Sequence, residues 1–383
     1  MMMSMEDKNN LFLRALMMMV GGIMGVGIFG LPYVFARAGV AIGLIHLLVL
    51  GSVMLTMVIA YSELVLQFSG RPRLKTIVEH YLGPVWSRVV TVLFIVGVWG
   101  ALLSYIIVGG TFLHTLLSPI FGGQYFWYQI TFFGISSFLL LGGLGLISRL
   151  ETVFVALMLL LLAVVLIGSS PFIDPTNFLS ISWTHGFEPF GALLFATAGL
   201  GVIPEIADVL GKSKSYLLKR VIISGSLLVL VIYALFALTI VGVSGARTSP
   251  EAIVGLAPYL GDWLVYIGVV IGVITIFSSF MMIGTQVVNI LNVDFKLRYL
   301  ISWLGAIIVP LVIFLLGARN FIQVISFVGG LVVSLVGLIV IATYLKAKKH
   351  PGVTKRALMI PDFALYFCGV IYLIAALTTL FSR

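Results

Sequence analysis

Charge is scarce in this chain. Asp, Glu, Lys and Arg make up only 9% of its 383 residues, against 61% hydrophobic, where a soluble domain carries about 25% charge. The formal charge of +9 is scattered over short segments between apolar runs, so it forms no nucleic-acid-binding domain. Cysteine is nearly absent. The single Cys368 excludes an intrachain disulfide framework and a multi-cysteine metal site. Also missing are G-x-S-x-G, H-E-x-x-H and the P-loop pattern. The glycine-rich segment Gly142–Leu150 opens no nucleotide domain, and the chain reads as no enzyme. His80, His114, His185 and His350 fall in loops or at the ends of apolar runs, without metal-ligand spacing. No small-residue cleavage site precedes a polar chain, so Lys8 and Arg14 lead into a retained span rather than a signal peptide.

What the chain has is apolar length. Runs of about 18 residues or more lie near 12–37, 40–68, 86–117, 126–147, 150–168, 188–209, 219–243, 261–291, 298–317, 320–345 and 359–381. They predict an all-α polytopic membrane protein of eleven spans, with no soluble domain between them. Loop charge orients it. With the N-terminus inside, 18 of the 22 basic residues fall on the cytoplasmic side and only Arg37, Arg247, Arg319 and Arg383 outside. The expected location is the cytoplasmic (inner) membrane, with the C-terminus outside.

The first span is a poor plain helix. Gly21, Gly22, Gly25, Gly27 and Gly30 crowd it and Pro32 follows, although Gly costs about 1 kcal/mol and Pro about 3 kcal/mol inside a helix. Freed backbone groups at membrane depth need partners. The stretch predicts a broken helix with an exposed turn at Gly25–Gly30, whose N–H and C=O groups become ligand groups. The alternative is a small-residue packing face. Span six offers a counterpart. Aligning Pro204 with Pro32 puts Gly199 on Gly27 and Gly211 on Gly39. The two spans run in opposite directions, five spans apart. That is the pattern of a five-plus-five inverted repeat with broken helices 1 and 6: residues 1–168, then 188–345, with 359–383 as an additional transmembrane helix. Spans four, five and nine carry few polar residues and read as scaffold.

The motifs GGIMGVGIFGLPYVFARAGV (Gly21–Val40), YSELVLQFSG (Tyr61–Gly70), GALLSYIIVGG (Gly100–Gly110), FGALLFATAGLGVIPEI (Phe190–Ile206) and SSF (Ser278–Phe280) resemble the amino acid/polyamine/organocation transporter superfamily. Within it they are most similar to the amino acid/auxin permease group, which includes bacterial hydroxy- and aromatic-amino-acid permeases. The resemblance implies the fold of the bacterial leucine transporter and import of amino acids by alternating access, with spans 1, 2, 6 and 7 rocking against 3, 4, 8 and 9. The implied partners are an amino acid substrate and the lipid bilayer, with no cofactor beyond a sodium ion and no nucleic acid.

An amino acid is a zwitterion, and both charges need partners away from bulk water. The N–H groups of Gly25, Val26 and Gly27 suit its carboxylate. Carbonyls near Gly22 and Ile23, with those of Phe195–Ala198, suit its ammonium. The centre of span one holds no carboxylate, which fits a backbone-built site. Tyr105 is placed to reach the carboxylate or simply to pack, and the resemblance puts a Tyr near this position. Phe195 caps the site or packs in the core; Thr197, Ala198 and Gly199 leave room for a ligand. The hydroxyls of Ser278 and Ser279 with the carbonyls of Thr275, Gly21 and Met24 would give five oxygens, resembling the sodium site of sodium-coupled relatives. The alternative is that both hydroxyls bond back to the preceding turn. Ile28 stands where some relatives have a ligand Asn, which speaks against a second sodium site. A proton route needs a titratable group. Span five has no Lys, leaving His46, Glu63, Glu205 and Asp208. The three acids lie near the cytoplasmic ends of their spans, where they pair with Arg71, Lys212 or each other in a gating or structural role, carry protons, or have no role in transport. Sodium is favoured over proton. The rivals are another organic amine or small solute on the same fold, and a channel or non-transporting sensor.

Overall fold

The first apolar run does not fold as one helix. In the computed structural model, which describes residues 5–68, 70, 72–142, 147–211, 216–351 and 358–381, α1 (Met5–Ile23) and α2 (Gly27–Ala38) meet at an angle of 57°. The helical ladder ends with Met24 N–H donating to the Val20 carbonyl at 2.8 Å. It restarts with Ile28 N–H to Gly25 O at 3.4 Å and Phe29 N–H to Val26 O at 3.1 Å. The open backbone is therefore Met24–Val26, shorter and earlier than the expected turn at Gly25–Gly30. Gly27 and Gly30 lie inside α2 and serve close packing instead. A methyl carbon added at Gly27 would sit 2.8 Å from Ala196 Cα, and one at Gly30 would sit 2.7 Å from Ile325 Cδ1.

Gly39, at φ +101°, turns the chain straight into α3 (Val40–Leu66), a conformation that suits glycine. A short α4 (Leu74–Leu82) precedes α5 (Pro84–Phe121), α6 (Tyr125–Leu141) and α7 (Ile147–Ser169). The sixth run is again interrupted. α8 (Glu188–Ala196) stops, Thr197–Gly199 leave the helix, a 3-10 turn spans Leu200–Val202, and α9 (Ile203–Leu210) follows. Under the Pro32/Pro204 register the two interruptions differ by one residue. Then come α10 (Tyr216–Ser244), the short α11 (Ala257–Leu260), α12 (Asp262–Asn289), α13 (Tyr299–Leu315), α14 (Phe321–Phe327), α15 (Ser334–Lys348) and α16 (Asp362–Phe381). Two π-helical segments, Ile290–Asp294 after α12 and Val328–Val333 between α14 and α15, interrupt spans that the sequence presents as regular.

All described regular structure is helical. Among the described residues eight helices are long and apolar enough to cross a membrane, or nine with the bent pair counted as one span, and two shorter apolar helices, α6 and α13, stand at the other two of the eleven expected runs. α6 and α13 are apolar but have 17 residues each, a rise of about 26 Å against a hydrocarbon core of about 30 Å.

The helices run alternately between two faces. At the face where α1 begins, Lys75 pairs with Asp294 at 3.5 Å and Lys348 with Asp362 at 2.6 Å. At the opposite face, Arg37 at the end of α2 grips Glu188 at the start of α8 through two hydrogen bonds of 2.9 and 3.1 Å. α2 packs on α8, α1 on α10, and α5 along α12. The Phe29 ring meets Phe112 edge-on at 5.2 Å, and Gly191 of α8 abuts the Ser326 backbone of α14. This apolar packing closes the opposite side of the bundle.

Candidate functional site

Both interrupted spans end on the same residue. The Tyr233 hydroxyl of α10, fully buried, donates to the Ala196 carbonyl at 2.8 Å, with the Ile23 carbonyl at 3.4 Å. These are the last carbonyls of α8 and α1, each left without a helical N–H partner and carrying the negative end of a helix dipole. The backbone around them is tightly meshed. Added methyl carbons would lie 2.7 Å from Val202 Cβ at Gly22 and 2.7 Å from Ile23 Cγ1 at Gly199.

On the other side of the break stands Tyr105 of α5, 2% exposed. A methyl carbon on Gly25 would lie 2.8 Å from its hydroxyl oxygen. The Val26 backbone and the Ser279 side chain of α12 lie beside that oxygen, so one hydroxyl stands where α5, the first break and α12 meet. The expected carboxylate donors are gathered here, at the positive N-terminal end of α2.

A cavity of about 390 Å³ connects these groups, within the range of ligand pockets. Of the residues expected at the site, Gly22, Ile23, Gly25, Val26, Gly27, Tyr105, Phe195 and Ala198 line it. Thr197 and Gly199 do not. The Thr197 hydroxyl bonds back to the Leu193 carbonyl at 2.7 Å, as threonine does in a helix's last turn, and Gly199 is spent on packing against Ile23. The cavity runs to the α4 face, where Arg73, Lys75, Glu205, Asp208 and Asp294 line it.

A second, smaller cavity of about 50 Å³ lies between α1, α7 and α12. Gly21, Met24, Thr275, Ser278 and Ser279, the five residues expected around a cation, all line it. Its third wall is Val155 and Met158 of α7, so span five is more than scaffold. The Ser278 hydroxyl donates to the Thr275 carbonyl at 2.8 Å, as the back-bonding alternative anticipates, and both oxygens keep lone pairs for a further acceptor role. Ser279 is shared with Tyr105.

The three acids separate. Glu63 is no gate latch in this structure. Its carboxylate accepts from the Tyr344 hydroxyl and from the Met359 N–H at 3.0 Å, while Tyr344 in turn accepts from the Ile360 N–H at 3.1 Å. The network ties the segment before α16 to α3 and α15. Glu205 and Asp208 line the large cavity near its mouth. Arg71 and Lys212, the partners considered for them, lie outside the described residues. His46 is packed by Phe190 and Phe187 and bonds back to the Ile42 carbonyl at 2.8 Å.

Sequence reasoning missed Tyr233, Phe94, Gly201 and Gln286. The first is a lone hydroxyl in an apolar run, a pattern shared with any packing tyrosine. The other three line the large cavity only because the chain folds them together.

The sequence profile of the Tryptophan/tyrosine permease family matches residues 8–378. Among curated proteins no sequence matches the chain significantly. Two solved structures share its fold. One is the Eremococcus coleocola manganese transporter in complex with an aromatic bis-isothiourea substituted compound: TM-score 0.69 and 14% identity, over 99% of this chain and 89% of that one. The other is MhsT in complex with L-phenylalanine: TM-score 0.68 and 15% identity, over 96% of this chain and 98% of that one. One is named a manganese transporter and the other is in complex with L-phenylalanine, so the fold alone does not decide what this chain carries.

Proposed function

The chain belongs to the tryptophan/tyrosine permease family, and we propose that it is a secondary active transporter that imports aromatic amino acids across the cytoplasmic membrane, within the amino acid/auxin permease group. The observation that carries this is the convergence of the two interrupted spans on one cavity. The substrate carboxylate is met by the Val26 and Gly27 N–H groups and the Tyr105 hydroxyl. The ammonium is met by the Ile23 and Ala196 carbonyls, which Tyr233 holds side by side. Charge is thus matched by backbone dipoles at helix ends, the arrangement expected of a transporter site built on broken helices. An organic amine without a carboxylate would leave the positive end of α2 unmatched.

The coupling ion is sodium. The small cavity supports this, because five residues with oxygen donors surround it and Val155 and Met158 place no ammonium there. Hard cations take such neutral oxygens. With Ser279 contributing to the ion's shell and to Tyr105, ion and substrate carboxylate share one hydroxyl relay. The cavity reaching the α4 face, with α2 and α8 closed at the other, fits the state that releases substrate to the cytoplasm, the N-terminus being inside and the C-terminus outside. The residues 1–168 and 188–345 act as inverted repeats, with 359–383 added.

Uptake of labelled tryptophan and tyrosine into proteoliposomes under imposed sodium or proton gradients tests the proposal. A sodium gradient is expected to drive uptake that Ser279→Ala abolishes. A proton gradient driving uptake that ignores Ser279→Ala would sink the cation assignment.

A further inference from the structure

Among the described residues, the side chain of Gln286, which lines the large cavity, makes no hydrogen bond. Gln286 lies on α12 seven residues beyond Ser279. Seven residues are two turns, which puts both on one face, about 10 Å apart along the axis. Side chains on a helix lean toward its N-terminus, so the Gln286 amide leans back toward the break. It stands at one end of a slot whose other end is the Tyr105, Ser279 and Val26 cluster. That spacing, shortened by the lean of the Gln286 side chain, leaves room for the side chain of an aromatic amino acid between the two ends.

The walls between are bare and aromatic. A methyl carbon on Gly201 would lie 3.7 Å from Gln286 Oε1, 3.9 Å from its Nε2 and 3.9 Å from Phe94 Cζ. The amide, the edge of an aromatic ring and an uncovered stretch of backbone therefore face one point of the cavity. Gly97 also lines the cavity. The other polar groups of the lining are engaged or lie at the mouth. Thr91 donates to the Ser87 carbonyl at 2.7 Å, Tyr105 is held by Ser279 and Val26, and Lys75 pairs with Asp294. Among the described residues the Gln286 amide makes no hydrogen bond.

We propose that Gln286 reads the polar tip of the substrate's aromatic side chain, the indole N–H of tryptophan or the phenol of tyrosine, and so ranks both above phenylalanine. The inference rests on the proposed binding of an aromatic amino acid between the two breaks. The chemistry matches. A primary amide offers one carbonyl acceptor and two N–H donors. The carbonyl accepts from an indole N–H or a phenol O–H, and the NH₂ donates to a phenol oxygen. Phenylalanine offers neither and desolvates the amide without return. A sealed polar pocket can reject such an analogue by about 10⁴-fold or more. This cavity reaches solvent at the α4 face, where water replaces part of the lost bond, so the expected discrimination is about ten- to a hundred-fold.

Inhibition constants of unlabelled tryptophan, tyrosine and phenylalanine against labelled tryptophan uptake, measured on the full chain in proteoliposomes, test the proposal. The wild-type protein is expected to take phenylalanine at least about tenfold more weakly. In Gln286→Met, of similar volume, tryptophan and tyrosine should lose their advantage over phenylalanine, and phenylalanine should bind no more weakly than to the wild type. Gln286→Glu keeps an acceptor and should keep tryptophan above phenylalanine. A probe that needs no variant is 3-benzothienylalanine, a tryptophan isostere with sulfur in place of N–H, which should inhibit the wild type as weakly as phenylalanine. Equal weakening of all three amino acids in Gln286→Met, or benzothienylalanine matching tryptophan, would overturn the role of Gln286 while leaving the transport function standing. Failure of the wild type to take up any of the three would overturn the proposed function, and this inference with it.

Discussion

The Tyr233 hydroxyl lies 2.8 Å from the Ala196 carbonyl and 3.4 Å from that of Ile23, so one side chain of α10 holds the ends of both interrupted spans. Tyr233→Phe keeps the ring and removes the donor. A buried carbonyl that loses its partner costs about 1–3 kcal/mol. We expect a lower melting temperature in detergent and weaker uptake, with the melting difference shrinking when substrate is bound, because its ammonium replaces the donor. Unchanged melting and uptake would remove Tyr233 from the site.

Gly25 and Gly27 fail in different ways when substituted. A methyl at Gly25 meets the Tyr105 hydroxyl at 2.8 Å but the ring carbon Cζ only at 3.8 Å. A methyl at Gly27 meets the Ala196 backbone at 2.8 Å, which cannot swing aside. Gly25→Ala should lose most uptake and regain protein stability in the double variant Gly25→Ala/Tyr105→Phe. Gly27→Ala should gain nothing from Tyr105→Phe. Equal rescue of both would contradict the packing described.

Substrate and cation ends of the relay should separate by mutation. Tyr105→Phe removes a hydrogen bond near the carboxylate and should raise the substrate KM roughly tenfold, with the sodium half-saturation unchanged. Ser278→Ala should raise the sodium half-saturation and leave KM at saturating sodium unaltered. Initial rates over a grid of both concentrations check this, and a shift of KM alone in Ser278→Ala would place that hydroxyl outside the cation site.

Glu63 anchors the segment before α16. Its carboxylate accepts from Tyr344 and Met359, so Glu63→Gln, with one acceptor oxygen replaced by a donor, should destabilise the docking of α16. A fall of several degrees in melting temperature is expected, with the sodium and proton dependence of the surviving uptake as in the wild type. A changed ion dependence would return Glu63 to the transport path.

How much of this was legible in the sequence follows from what each residue type can do alone. Five glycines and a proline in one apolar run point to an interruption whatever surrounds them, and the interruption is there. Its extent was not legible, because a glycine that opens a backbone and a glycine that admits a neighbour read alike; Gly27 and Gly30 proved to be the second kind. The five residues expected around a cation from the resemblance to sodium-coupled relatives line one small cavity, because α1 and α12 both border it there. Thr197 was misplaced, since a hydroxyl beside a break can as well turn back to its own helix. Glu63 was read by depth alone, and its partners come from a segment 281 to 296 residues away. Tyr233 and Gln286 gave no local signal; their roles exist only where α10 and α12 cross the breaks.

The central claim is that the Val26 and Gly27 N–H groups and the Ile23 and Ala196 carbonyls hold a free aromatic amino acid. Counterflow of labelled tryptophan in proteoliposomes, against a panel of the twenty unlabelled amino acids, tests it most directly when repeated on Gly25→Val and Gly27→Val. The account predicts exchange with tryptophan and tyrosine in the wild type and none in either variant. Normal exchange by both variants, or no exchange of any amino acid by the wild type, would contradict it.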